Sequence, residues 1–126
     1  MPLSEDEIRT ALKDCFDPDL RINIVDLGLV YGIHVEEDKD APGTGIPGVP
    51  PRFRVNIDLT LTAREHPAEG QIIALIENRL YGMPAVSKAK INLVWEPPWT
   101  PERITPEGRR QLGLNTPRGN NLIQIT

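Results

Sequence analysis

The sequence predicts an α+β domain. It is a two-layer sandwich in the order helix–strand–strand–helix–strand, with two helices on one face of a mixed three-stranded sheet. Three observations carry that prediction. A capping box opens a helical stripe near the start of the chain. Residues 53–62 alternate apolar and polar without a break. A second helical stripe then separates this segment from another alternating one, so the two strands flanking it should run parallel with a right-handed crossover.

The first helix begins at SEDEIRTALKDCF, residues 4–16. Ser4 can accept from the amide of Glu7, and Glu7 can reach back to the amide of Ser4. Ile8, Ala11, Leu12, Cys15 and Phe16 follow at helical spacing, and Pro18 ends the element because the residue before a proline avoids the helical region. Strand 1 covers about 29–36, with Leu29, Tyr31, Ile33 and Val35 on one side and His34 on the polar, surface side; Gly28 gives the chain freedom to turn into it. Residues 38–51 hold four prolines and three glycines with few apolar side chains, and read as a long, flexible hairpin loop.

In strand 2, Phe53, Val55, Ile57, Leu59 and Leu61 face one side and Arg54, Asn56, Asp58, Thr60 and Thr62 the other. Helix 2 covers about 67–81, with Pro67 at its first position, Gly82 at its end, and Ile72, Leu75, Ile76 and Leu80 on its apolar face. Strand 3 covers about 86–95, with Ala89, Ile91, Leu93 and Trp95 inward. An extended proline-rich segment follows, then a short helix from Thr105-Pro106 to Gly113. The domain should occupy 1–114, leaving 115–126 as a tail whose NNLIQIT could pair with a sheet edge.

Bulk properties narrow the function. The chain has 126 residues, about one domain, and a net charge of −4 that argues against nonspecific nucleic-acid binding. The single cysteine, Cys15, allows neither an intrachain disulfide nor a multi-cysteine metal cage, and its place on the helical stripe favours a small core residue over a reactive thiol. The longest helix-like apolar run, IIALI at 72–76, is too short to cross a membrane, and the acidic MPLSEDE start has no apolar leader, so a cytoplasmic location is expected. No glycine-rich phosphate loop, nucleophile elbow or paired-carboxylate spacing is present.

Three segments, FDPDLRINIVDLGLVYGIHV, LTLTAREHP and LVWEPPWTPERITPEGRRQLGL, resemble the small metal–sulfur (iron–sulfur) cluster assembly domains of SufT and PaaD type, over residues 4–114. The resemblance implies an accessory or targeting role in iron–sulfur protein maturation, with the assembly machinery or client proteins as partners. It implies a site formed by Asp17, Asp19, Asp26, Thr62 and His66. The family's threonine-rich turn ends in Cys-Pro, whereas this chain reads Thr62-Ala63-Arg64-Glu65-His66-Pro67. A thiolate at a helix start is stabilised by free amides and the helix dipole, and could hold a soft metal or carry sulfur. An imidazole cannot carry persulfide sulfur, but a neutral ring offers a lone pair to a metal or a hydrogen-bond donor.

His66 is therefore a helix-start residue, a contact for a substrate, or a ligand for weakly bound zinc or iron. Asp17 and Asp19 flank Pro18 and serve turn chemistry or a site; Asp26 suits a cap for the turn at Gly28. Trp95 and Trp99 form a partner-docking platform or pack over the domain's own sheet. Three functions fit: an iron–sulfur assembly accessory protein, a metal-free protein–protein adaptor, and a small metal-dependent enzyme using His66. An open sheet edge and the tail make a homodimer an expectation.

Overall fold

The computed structural model describes residues 2–113. Its elements are α1 (Glu5–Leu12), β1 (Val30–Glu37), β2 (Phe53–Leu59), α2 (Glu69–Tyr81), β3 (Val86–Leu93), a 3-10 turn (Pro101–Arg103) and α3 (Pro106–Leu112). The sheet order is β1-β2-β3. β1 and β2 pair antiparallel and β2 and β3 parallel, so the mixed sheet is as the periodicity predicts. The NNLIQIT pairing segment lies outside the described residues.

The helices and the inner sheet face make one core. Ile8 and Leu12 of α1 and Ile72, Ile76 and Leu80 of α2 are fully buried with Val55, Ile57 and Leu59 of β2. Each such side chain contributes about 1.5–3 kcal/mol relative to exposure. Leu75 is the exception on the predicted apolar face of α2, at 37% exposed. The opposite sheet face is polar: His34 Nε2 lies 3.0 Å from Asp58 Oδ2, and Asn92 Nδ2 donates to Asp58 Oδ1.

The Ser4–Glu7 capping box forms with both bonds present. The predicted first helix is shorter than its stripe, however. After Leu12 the chain closes into turns, and it then pairs with itself: Asp17 N–H donates to Ile22 O and Ile24 N–H to Cys15 O. This tight excursion buries Cys15 but turns Phe16 outward, at 46% exposed. Helical periodicity placed Phe16 inside because a helix and a turn cannot be told apart over so few residues.

Strand 2 leaves the ladder at Leu59 instead of running to Thr62. At its end, Thr60 N–H donates to Leu29 O and Val94 N–H to Leu59 O, so the residues flanking β1 and β3 still hold it on both sides. Leu61 is still buried, so the alternation outlasts the pairing. β3 likewise ends at Leu93, which leaves Trp95 beyond the strand, half-buried, with the Arg64 guanidinium 4.8 Å from its ring centroid.

The loop after β1 is pinned at its first turn. Asp38 is buried, and its carboxylate accepts from Arg54 Nη2, Ser87 Oγ and Asp40 N–H. Ala41 is also buried, whereas 44–51 are exposed. The Ser87 hydroxyl, then the Asp40 amide and Arg54, hold the Asp38 carboxyl below the usual aspartate range against the opposing effect of burial.

The C-terminal part is strapped back onto the 23–28 turn. Thr105 N–H donates to Asp26 O, and Thr105 Oγ1 donates to Asp26 Oδ1 at 2.7 Å while accepting from Gly108 N–H to start α3. Gly28 has φ +77, and a Cβ there would lie 2.3 Å from Arg103 O, so only glycine lets the two segments meet.

Candidate site at the junction of β2 and α2

Between β2 and α2 the backbone makes a sharp excursion. Glu65 sits at φ 56, a left-handed conformation that disfavours a side chain, and it turns the chain back so that His66 faces the domain. Pro67 follows in the turn, so helix α2 begins at Glu69, two residues after the predicted start. Its N-cap, Ala68, has no side chain to serve the free amides. His66 serves one amide at this helix start instead, its Nδ1 accepting from the Ala68 N–H at 3.0 Å.

That bond fixes the tautomer. A ring whose Nδ1 accepts a hydrogen bond carries its proton on Nε2 when neutral. Nε2–H points toward two carboxylates, lying 3.9 Å from both Asp17 Oδ2 and Asp19 Oδ2. Neither distance is a hydrogen bond. The His66 side chain is 8% exposed, Asp17 1% and Asp19 69%.

Asp17 is placed by its own turn. Its Oδ1 accepts from the amides of Asp19 and Leu20, at 2.8 and 3.0 Å, the side-chain turn expected of Asp-Pro-Asp. Oδ2 is left facing inward. Asp17, Asp19, Thr62, His66 and Trp99 line one cavity of about 510 Å³, with Leu20, Ala63, Arg64, Glu65 and Pro67 completing its wall. Trp99 reaches it from the far end of the chain, its indole N–H donating to Leu27 O at 2.7 Å.

Asp26 is not part of this cavity. It is buried, accepts from Asn23 Nδ2 at 2.7 Å and from Thr105, and so fastens the strap. It does not cap the turn at Gly28 as expected; Gly28 N–H donates to Val25 O. Trp95 also lies outside the lining, against Arg64.

Sequence reasoning missed Leu20, Ala63, Arg64, Glu65 and Pro67 as cavity walls. The first comes with the Asp-Pro-Asp turn, and its signal was present there. The other four belong to the turn around the left-handed Glu65, which no residue type announces.

A larger and more open depression of about 670 Å³ lies over the polar sheet face, lined in part by Tyr31, Asp58 and Arg103. Three of its polar groups already have partners: Tyr31 Oη donates to Pro97 O, Asp58 meets His34, and Arg103 lies over the Tyr31 ring. Arg9 and Glu96 also line it. The smaller cavity is the one that brings together Asp17, Asp19, Thr62 and His66.

The donor set at the junction does not fit a resident iron–sulfur cluster. Every candidate ligand is nitrogen or oxygen, whereas clusters are held by thiolates. Cys15 is elsewhere, 2% exposed, with its thiol 3.6 Å from Leu75 O. Burial, and then Asp14, pushes that thiol up, against a smaller opposing effect of Arg79. Among the described residues no three His, Cys, Asp or Glu side chains converge to hold a metal ion. A metal on His66 Nε2 would require the proton to move to Nδ1, which would break the bond from Ala68.

Fold and site together define a small α+β domain that gathers two aspartates and a histidine where a loop after its first helix meets the start of its second. The model of the iron-sulfur cluster assembly protein family matches residues 5–41. The chain is 33% identical over 99 residues, 79% of its length and 97% of the relative's, to the Fe-S protein maturation auxiliary factor SufT of Staphylococcus aureus. It is 30% identical over 110 residues, 87% of this chain and 94% of the relative, to the Fe-S protein maturation auxiliary factor YitW of Bacillus subtilis. A crystal structure of a domain of unknown function from Bacillus anthracis superposes with a TM-score of 0.72 at 29% identity, covering 88% of this chain and 92% of that one. The chain belongs to this SufT-like family of iron–sulfur cluster assembly proteins. No helix among the described residues is long and apolar enough to cross a membrane.

Proposed function

We infer that this chain is an accessory factor in the maturation of iron–sulfur proteins, and that it works by binding partner proteins at the junction of β2 and α2. Family membership carries the role. The observation that carries the mode of action is the His66 hydrogen bond: Nδ1 is engaged by Ala68 N–H, which leaves the ring a donor and not a ligand. The sulfur- or metal-carrying step that a cysteine at this position would allow has no equivalent group here. Contact with the assembly machinery or its clients remains. This favours the adaptor reading over the small metal-dependent enzyme.

Two further features belong to the proposal. The chain works in the cytoplasm, in keeping with its single, buried and unpaired cysteine. It pairs with a second copy through an edge of the sheet, where β1 and β3 are the outer strands.

The test is genetic. Cells lacking this chain should show reduced activity of iron–sulfur enzymes, restored by the wild type but not by a chain carrying both Asp17→Asn and His66→Ala. Full restoration by that variant would remove the junction from the mechanism, and unimpaired enzymes in the deleted cells would remove the role.

A further inference from the structure

The junction cavity holds a charge imbalance that the fold does not resolve. The Asp17 side chain is almost wholly buried and lines the cavity; its Oδ2 accepts no hydrogen bond and is not sealed off from that space. Asp19 adds a second carboxylate beside it. Among the described residues neither is paired with a lysine or arginine; only the His66 Nε2–H faces them, too far away to bond. A carboxylate so nearly buried and without a counter-charge is costly, and a cation placed beside it offsets that cost. The His66 side chain lines the same cavity, and its Nε2, which makes no hydrogen bond, is not sealed off from that space.

Three properties select the cation. A divalent metal lacks ligands, because Nε2 carries its proton and Asp17 Oδ1 is held by two amides. The lining also includes Trp99, its indole held in place by the bond to Leu27 O. A planar guanidinium stacks on an aromatic face and forks onto carboxylate oxygens, which a compact ammonium does less well. The chain's own nearby guanidinium, Arg64, is turned away onto Trp95.

We propose that the cavity bounded by Asp17, Asp19, His66 and Trp99 is a receptor for an arginine side chain presented by a partner protein. This rests on the junction being the working surface, and it names the chemistry of what docks there. The guanidinium bonds Asp17 Oδ2 and Asp19 Oδ2, with the His66 ring as the third side of the receptor, its Nε2 3.9 Å from each carboxylate.

The experiment is an NMR titration of the full chain with N-acetylarginine amide. The readouts are the Trp99 indole N–H and the amides of Asp19, Leu20 and Ala68. Saturable shifts at these groups are expected. Affinity should fall about tenfold or more in Asp17→Asn, which keeps an oxygen for the Asp19 and Leu20 amides but loses the charge. It should be unchanged in Asp58→Asn on the far sheet face. N-acetyllysine amide should bind more weakly. Shifts that are absent, or that persist undiminished in a folded Asp17→Asn chain, would overturn the proposal. So would tighter binding of the lysine compound, or saturable zinc binding that moves the same resonances at lower concentration. Binding that emerges only in Arg64→Ala would put this chain's own arginine in the cavity and also overturn it. If the titration fails while Asp17→Asn with His66→Ala still fails to restore enzyme activity in cells, the junction stands as the working surface and the arginine inference alone falls.

Discussion

Replacing Trp99 should destabilise the domain more than replacing Trp95, the reverse of what their positions in the sequence suggest. Trp99 donates its indole N–H to Leu27 O at 2.7 Å and packs against the core. Leu27 is wholly buried, so its carbonyl depends on that donor. Trp99→Phe removes the donor and keeps most of the ring, and an orphaned buried acceptor costs about 1–3 kcal/mol. Trp99→Ala adds the loss of the ring and should reach about 3–5 kcal/mol. Trp95 lies past the end of β3 and also packs against the core, but it is half-buried, anchors no buried carbonyl, and carries the exposed Arg64 guanidinium on its ring. That contact is worth about 0.5–1 kcal/mol, so Trp95→Ala should cost about 1–2 kcal/mol. Urea unfolding followed by far-ultraviolet circular dichroism gives each difference, with slopes unchanged if only the folded state is affected. The reasoning is refuted if Trp95→Ala costs as much as Trp99→Ala, or if Trp99→Phe costs less than about 0.5 kcal/mol.

Gly28→Ala should destabilise by about 3 kcal/mol or more. The left-handed backbone costs about 1–2 kcal/mol, and the new Cβ, 2.3 Å from Arg103 O, forces the strap away from the turn; a loss below about 1 kcal/mol in urea would contradict the close approach. Asp38 should make stability depend on acid pH. Its carboxyl is held low in the folded chain, so its contribution is present in full above the unfolded value of about 3.9 and disappears as pH falls through the folded one. The stability difference between wild type and Asp38→Asn should therefore shrink below about pH 4, and a difference constant between pH 7 and pH 3 would sink this linkage.

Most of the fold was legible because each strand and helix has its own period. The alternation of β2 and the Ser4–Glu7 box needed no tertiary information, and the mixed sheet followed from the order of elements. Ends were less legible. α1 stops at Leu12 because the backbone after it finds partners at 22–24, a pairing set by turn geometry. The site was legible in part. Asp17, Asp19, Thr62, His66 and Trp99 were all singled out, but their convergence depends on Glu65 at positive φ and on a strap closed by Asp26 and Thr105. Asp26 was singled out for the site and is instead that fastening. Asp38 looked like the start of a loose loop because its partners, Arg54 and Ser87, lie on two strands that only the folded sheet brings beside it.

The proposed mode of action depends on His66 being the hydrogen-bond acceptor that starts α2 and not a metal ligand. Calorimetric titration of zinc and ferrous iron into the wild type, His66→Ala and His66→Cys tests this most directly. We expect weak binding at best to the wild type, the same in His66→Ala, and a gain for soft metal in His66→Cys, where a thiolate stands at a helix start. Tight binding to the wild type that His66→Ala abolishes would contradict it.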